Sequence, residues 1–276
     1  MKTIERFLVS ARRWLPALCL TAALTGCDLI EYHPYDSRVD GERLHNAAAI
    51  ERIERETAGR ETVRFAVISD TQRWYDETGA IVDAINARPD VDFVIHCGDQ
   101  TDFGLTREWE WMARELKRLR PPYVCLIGNH DCLGTGGDVF RALYGDPNFS
   151  FDVGTTHFVC LNTNAFEYDY STAIPDFDFL RTDRETLPAS TRRTVVAMHA
   201  APHTDQFNNN VAEVFQLVLH RYPGLAFCLC GHTHHTQHQN LFGDGIVYHT
   251  CGAAHGRTYL LFTLTEDGYT YEEVAC

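Results

Sequence analysis

Five short polar clusters combine carboxylates, an amide and imidazoles in a way that suits metal-assisted chemistry. They read Asp70-Thr71-Gln72, Gly98-Asp99-Gln100-Thr101-Asp102, Gly128-Asn129-His130-Asp131, Met198-His199 and Gly231-His232-Thr233-His234. Carboxylate, amide oxygen and imidazole together form a borderline-hard donor set for first-row divalent ions, and there are enough of them for two ions sharing a bridging carboxylate. Taken singly, each has a plainer explanation. Asp70, Asp99 and Asn129 make good turn formers or helix caps after strands. His199 reads as a strand-end histidine, and His232 and His234 as unrelated surface groups. It is their joint occurrence, in order along the chain, that points to one site.

Each cluster follows directly on an apolar run, and such runs are the elements that must position it. Runs at 63–69, 91–96, 123–127, 156–162, 194–198, 226–230, 246–250, 259–265 and 269–274 have the length and composition of strands. Helical spacing appears between them. Ala80, Ile81, Ala84 and Ile85 share a face that Pro89 helps to close, and Trp109, Met112, Leu116 and Leu119 stripe a second helix ended by Pro121. Residues 211–220 form a third. Many strands with interleaved helices, and hairpin-like pairs late in the chain, predict an α/β sandwich. The ends of strands on one edge of such a sheet converge, and ligands bind there.

Upstream of residue 61 the character changes twice. Lys2, Arg6, Arg12 and Arg13 precede an apolar stretch from Leu15 to Leu24, too short to span a bilayer and arranged as a secretory signal. It ends in Leu24-Thr25-Gly26-Cys27, which resembles the bacterial lipobox and makes Cys27 the expected lipid-bearing N-terminus of an exported protein. That protein would be held on the periplasmic or cell-surface side of a bacterial membrane. Residues 28–41 look like a tether, and Leu44, Ala47, Ile50 and Ile53 recur at near-helical spacing, predicting a helix packed on the outside of the domain. The expected organisation is thus a signal at 1–26, a tether and helix at 27–60, and one domain at 61–276.

With 24 basic against 38 acidic residues the formal charge is −14, and a surface that negative repels nucleic-acid backbones. Most of the ten cysteines sit inside apolar runs, as in Val124-Cys125-Leu126 and Phe227-Cys228-Leu229-Cys230. They read as small buried hydrophobes, and no essential disulfide is expected.

The ordered series of clusters resembles the motifs D-x-H, G-D-x-x-D, G-N-H-D/E, H and G-H-x-H of the calcineurin-like metallophosphoesterase superfamily, over residues 64–234. The resemblance implies a sandwich of two mixed β-sheets flanked by helices, and hydrolysis of phosphate mono- or diesters. It implies two divalent cations (manganese, iron, zinc or nickel), one held by Asp70, Asp99 and His234 and the other by Asp99, Asn129, His199 and His232. A hydroxide shared by the two would attack phosphorus in line. His130 is then the proton donor to the leaving oxygen, with Asp131 orienting its ring. One position departs from the pattern. Gln72 stands where the family usually has histidine, and an amide oxygen there either ligates weakly or orients a metal-bound water. The expected substrate is a small phosphorylated molecule. A nucleotide or lipid-linked pyrophosphohydrolase is an alternative, as is a non-catalytic binding scaffold, against which the intact His130 argues.

Overall fold

The apolar runs pair into two mixed sheets. The computed structural model describes His33 and residues 35–39, 41, 43–169 and 171–276. The chain divides into two compact units, residues 1–36 and 37–276, and the signal segment and Cys27 lie outside the described residues. Among the described residues no helix is long and apolar enough to cross a membrane.

The described strands are β1 (Val63–Ile68), β2 (Phe93–His96), β3 (Tyr123–Cys125), β4 (Phe149–Val153), β5 (Thr156–Leu161), β6 (Arg193–Met198), β7 (Leu225–Cys230), β8 (Gln237–Gln239), β9 (Val247–Thr250), β10 (Thr258–Leu264) and β11 (Tyr269–Ala275). The helices are α1 (His45–Thr57), α2 (Tyr75–Asn86), α3 (Thr106–Leu116), α4 (Gly136–Leu143), α5 (Phe177–Glu185) and α6 (Ala212–Leu219). One sheet has the order β11-β10-β1-β2-β3, with β1, β2 and β3 parallel and β10 and β11 antiparallel. The other runs β4-β5-β6-β7-β9-β8, parallel from β5 to β9 with an antiparallel strand at each edge.

Three apolar layers follow. Between the sheets, Phe65 stacks on Phe93 and Phe262, while Phe158 meets Phe65 and Phe93 edge-on from the other sheet. Such offset and edge-to-face contacts add to the burial of large rings. The outer face of the first sheet packs on α2, α3 and α4 through Ile81, Ile85, Trp109, Met112 and Phe140. That of the second packs on α5 and α6 through Leu180, Phe215 and Leu219. This is the two-sheet sandwich flanked by helices that the motif resemblance implies.

Helix α1 turns inward only half of the stripe that its apolar spacing predicts, Ile53 in the core and Ile50 against it. Leu44 and Ala47 are exposed, whereas Asn46, Ala49, Ile53 and Thr57 are buried. The reason is Asn46: its amide donates to Cys125 O at 2.9 Å and accepts from Cys125 N–H at 3.0 Å. It pairs with the edge strand β3 as a neighbouring strand would, closing an edge that would otherwise be open to other chains. Four elements have no counterpart in the predicted runs: β4, β8, α4 and α5. Strand β8 is Gln-His-Gln and α5 is rich in charge, so neither carries an apolar run. The eight described cysteines are free, and six of them are buried.

Candidate metal centre

The carboxyl ends of β1, β2, β3, β6 and β7 lie on one edge of the sandwich, and the five polar clusters follow them directly. Their glycines allow the close approach. A Cβ on Gly128 would lie 2.1 Å from Asp99 Oδ1, and one on Gly231 would lie 2.0 Å from Ser69 Oγ. Gly98, at φ +93°, would bring its Cβ to 2.8 Å from His199 Nδ1. Four of the donor residues themselves adopt positive φ: Asp70, Asp99, His232 and His234. Non-glycine residues rarely do so, and such backbone strain gathers at functional sites.

The donor atoms fall into two neighbouring groups. Asn129 Oδ1 lies 3.0 Å from both His199 Nε2 and His232 Nδ1, and His199 Nε2 lies 3.4 Å from Asp99 Oδ2. Beside them, His234 Nε2 is 3.3 Å from Asp70 Oδ1, and Gln72 Nε2 is 3.4 Å from Asp99 Oδ2. Ligand atoms of Asp70, Asp99 and His199 lie within 4.8 Å of one another, as a shared cation would need. Asp99 stands between the two groups. All but the histidines at 232 and 234 are buried. The chemistry of the set fits divalent cations, and one further atom supports the fit: Gln72 Oε1 is buried without a hydrogen-bond partner. A buried amide oxygen left unpaired costs free energy unless a cation or a donor meets it.

The local electrostatics match. Burial alone pushes the Asp99 carboxyl up, but the imidazoles of His199 and His130 outweigh it and hold the carboxyl below its usual range. Burial likewise pulls His199 down, and Asp99 and Asp70 reverse this, raising it to about 9. Asp70 and Asp99 therefore favour positive charge beside them, the sign that a bound cation would bring.

Asp131 requires a correction. Its carboxylate accepts from the N–H groups of Asp99, Gln100, Thr101 and Gly128 and from Thr101 Oγ1, at 2.9–3.0 Å. It makes no bond to the His130 ring. A carboxylate between two backbone turns is saturated by their amides, so it clamps the Gly98–Thr101 loop, which carries Asp99, against the start of the Asn129 turn. The ring is instead oriented by a main-chain group: His130 Nδ1 lies 2.9 Å from Asp102 O. A carbonyl only accepts, so Nδ1 carries hydrogen and Nε2 is the nitrogen that gains and loses the proton.

Other residues near the motifs sort clearly. Trp74 packs on His255, Tyr75 on Trp111 and Phe207 on Phe215 in the core. Asn208 caps a short turn. His96 lies behind the site with Nε2 2.9 Å from Thr71 Oγ1, and burial pulls it down to about 4. Asp205, one polar residue in a polar loop, is a contact absent from the sequence motifs: its Oδ1 lies 2.7 Å from His232 Nε2. No spacing in the sequence marks it.

Comparison with known proteins bears on the family and the fold. A 156-residue stretch is 28% identical to a 3',5'-cyclic-nucleotide phosphodiesterase of Nostoc sp., covering 53% of this chain and 57% of that protein. The chain thus spans little more than half of that relative. The fold is similar to a dimetal phosphatase from Danio rerio (TM-score 0.60, 15% identity, 76% of this chain and 95% of that one). It is also similar to a purple acid phosphatase from yellow lupin seeds (TM-score 0.62, 13% identity, 79% of this chain and 52% of that one). A family model described as calcineurin-like phosphoesterase matches residues 63–236, from the start of β1 to just beyond the last histidine motif, and the chain belongs to that family.

Proposed function

We propose that this chain is a dinuclear-metal hydrolase of small phosphate esters. What supports it most is the convergence of Asn129 Oδ1, His199 Nε2 and His232 Nδ1 beside Asp99, with Asp70, His234 and the unpartnered Gln72 Oε1 on its other flank. Asp99, Asn129, His199 and His232 would hold one cation, and Asp70, Asp99, His234 and Gln72 the other. Bound cations would supply Lewis acidity toward phosphoryl oxygens and a water nucleophile active near neutral pH. The protein's own part is to fix these donors and to place one proton. His130, with Nδ1 committed to Asp102 O, offers Nε2 to the leaving oxygen as general acid. The clamp at Asp131 keeps Asp99 in place while this happens.

A phosphodiester is the favoured substrate, because the Nostoc relative is named for cyclic nucleotides. Purified protein reconstituted separately with manganese, iron, zinc and nickel should hydrolyse aryl phosphodiesters, and 3',5'-cyclic nucleotides among natural esters. Metal-loaded protein inert toward diesters, monoesters and diphosphates alike would leave the scaffold reading in its place.

The proposal extends to location, on the strength of the sequence before residue 28. We place the protein outside the cytoplasm, anchored by lipid on Cys27. A Cys27→Ala variant should lose labelled-lipid incorporation and leave the membrane fraction; unchanged fractionation would refute the anchor.

A further inference from the structure

His232 faces an oxygen at each ring nitrogen: Asn129 Oδ1 at 3.0 Å from Nδ1 and Asp205 Oδ1 at 2.7 Å from Nε2. Only Nδ1 points at the donor cluster. An imidazole gives its lone pair to a cation at one nitrogen when the hydrogen sits on the other, and a carboxylate at that other nitrogen fixes both tautomer and ring plane.

The loop that presents Asp205 is held on both sides. Thr204 N–H and Oγ1 donate to Ala201 O, and Asn209 Nδ2 donates to Thr204 O. Gln206 Nε2 donates to Glu167 Oε1, Phe166 N–H donates to Gln206 O, and Phe207 is buried against Phe215. The Asp205 side chain is 82% exposed, yet its backbone is tied at the residues before and after it. A freely solvated carboxylate has no need of such a frame.

We propose that Asp205 is a positioning residue: it holds His232 as the Nε2–H tautomer, with Nδ1 turned to the cation that Asp99, Asn129 and His199 would share. This rests on the metal-dependent reading above. The test uses the metal-free protein and two variants, Asp205→Ala and Asp205→Asn, titrated with manganese and with zinc by calorimetry. Asp205→Ala should weaken one binding step by about 10–100-fold, as removal of an outer hydrogen-bond partner at a metal site does, and leave the other step unchanged. Asp205→Asn, whose amide oxygen still accepts from Nε2–H, should recover most of the loss. Ring-nitrogen shifts in nuclear magnetic resonance should report the Nε2–H tautomer of His232 in the native protein and a mixture in Asp205→Ala. Because the side chain is exposed, the metal-free melting temperature should not move.

Two outcomes overturn the assignment while leaving the metal centre standing: native-like affinity in Asp205→Ala, or an Asp205→Asn variant as weak as Asp205→Ala. Native protein that binds neither cation would overturn both this inference and the reading on which it rests.

Discussion

On one flank of the cluster, His199 is fully buried, its Nδ1 is fixed 2.7 Å from Cys97 O, and its Nε2 shares Asn129 Oδ1 with His232. On the other flank, His234 is 45% exposed with Nε2 3.3 Å from Asp70 Oδ1, and Gln72 keeps a buried oxygen without a partner. The first flank draws its donors from mostly buried side chains that bond to one another; the second includes an exposed imidazole and an amide oxygen without a partner. A preorganised set of donors loses little on binding, whereas a looser set must be ordered at that moment. The two cations should therefore bind unequally, with the flank of Gln72 the weaker.

The largest expected effect tests what the flanks have in common. Asp99→Ala removes a carboxylate that meets His199 on one flank and Gln72 on the other, so it should empty both sites and bring hydrolysis to background, measured as metal content and turnover together. Metal retained at two equivalents in that variant would show that Asp99 does not bridge.

His130→Ala should separate chemistry from binding. The bond from His130 to Asp99 Oδ1 comes from the backbone N–H, which the substitution keeps, so metal content should stay, while kcat on poor leaving groups should fall by about 10²–10⁴-fold and less on activated aryl esters. A parallel loss of metal would remove the distinction between the two roles.

Gln72→His sharpens the comparison itself. Imidazole is the better donor for a borderline ion, so the weaker calorimetric step should tighten by about 10–100-fold while the stronger stays as it is. Two equal, tight steps in the native sequence, untouched by Gln72→His, would place residue 72 outside the metal shell.

The smallest effect lies at the opposite end of β5. His157 has Asp152 Oδ1 at 2.8 Å from Nδ1 and Asp183 Oδ2 at 3.1 Å from Nε2, and both carboxylates only accept. Burial works against the charged ring, but Asp183 and Asp152 outweigh it and raise its titration above the ordinary histidine range. A raised value gives stability that is complete below the unfolded histidine value of about 6.5 and is lost as pH rises through the folded one. Asp183 is pushed up by burial and brought lower still by His157 and Ser150, so its share is lost only in acid. His157→Gln should thus cost on the order of 1 kcal/mol near pH 6 and less at pH 9, read by urea denaturation. A cost independent of pH would mean the ring is neutral.

Much of the fold was legible because buried strands advertise themselves. Runs such as Val195 to Met198 and Phe227 to Cys230 are apolar on both faces and lie in the middle of a covered sheet. Strand β8 and helix α5 were not legible, because neither has an apolar run to betray it. The metal-binding candidates could be listed because each follows a strand directly. Their arrangement could not, since Asp131 acts through five hydrogen bonds to two separate turns and Asp205 reaches His232 from a loop 27 residues earlier. Neither contact has a sequence period.

The positive φ angles at Asp70, Asp99, His232 and His234 bear on how this protein can evolve or be engineered. Each such residue costs on the order of 1–3 kcal/mol where glycine would cost little. Selection for thermal tolerance alone, by heat challenge without an activity screen, would therefore reward glycine or asparagine at His234, the most exposed of the four, and yield sturdier proteins that lack one donor of the candidate site. A library recovered that way and enriched for native histidine at 234 would contradict this. In this family member, tolerance to heat and possession of a working site pull the same four backbone positions in opposite directions.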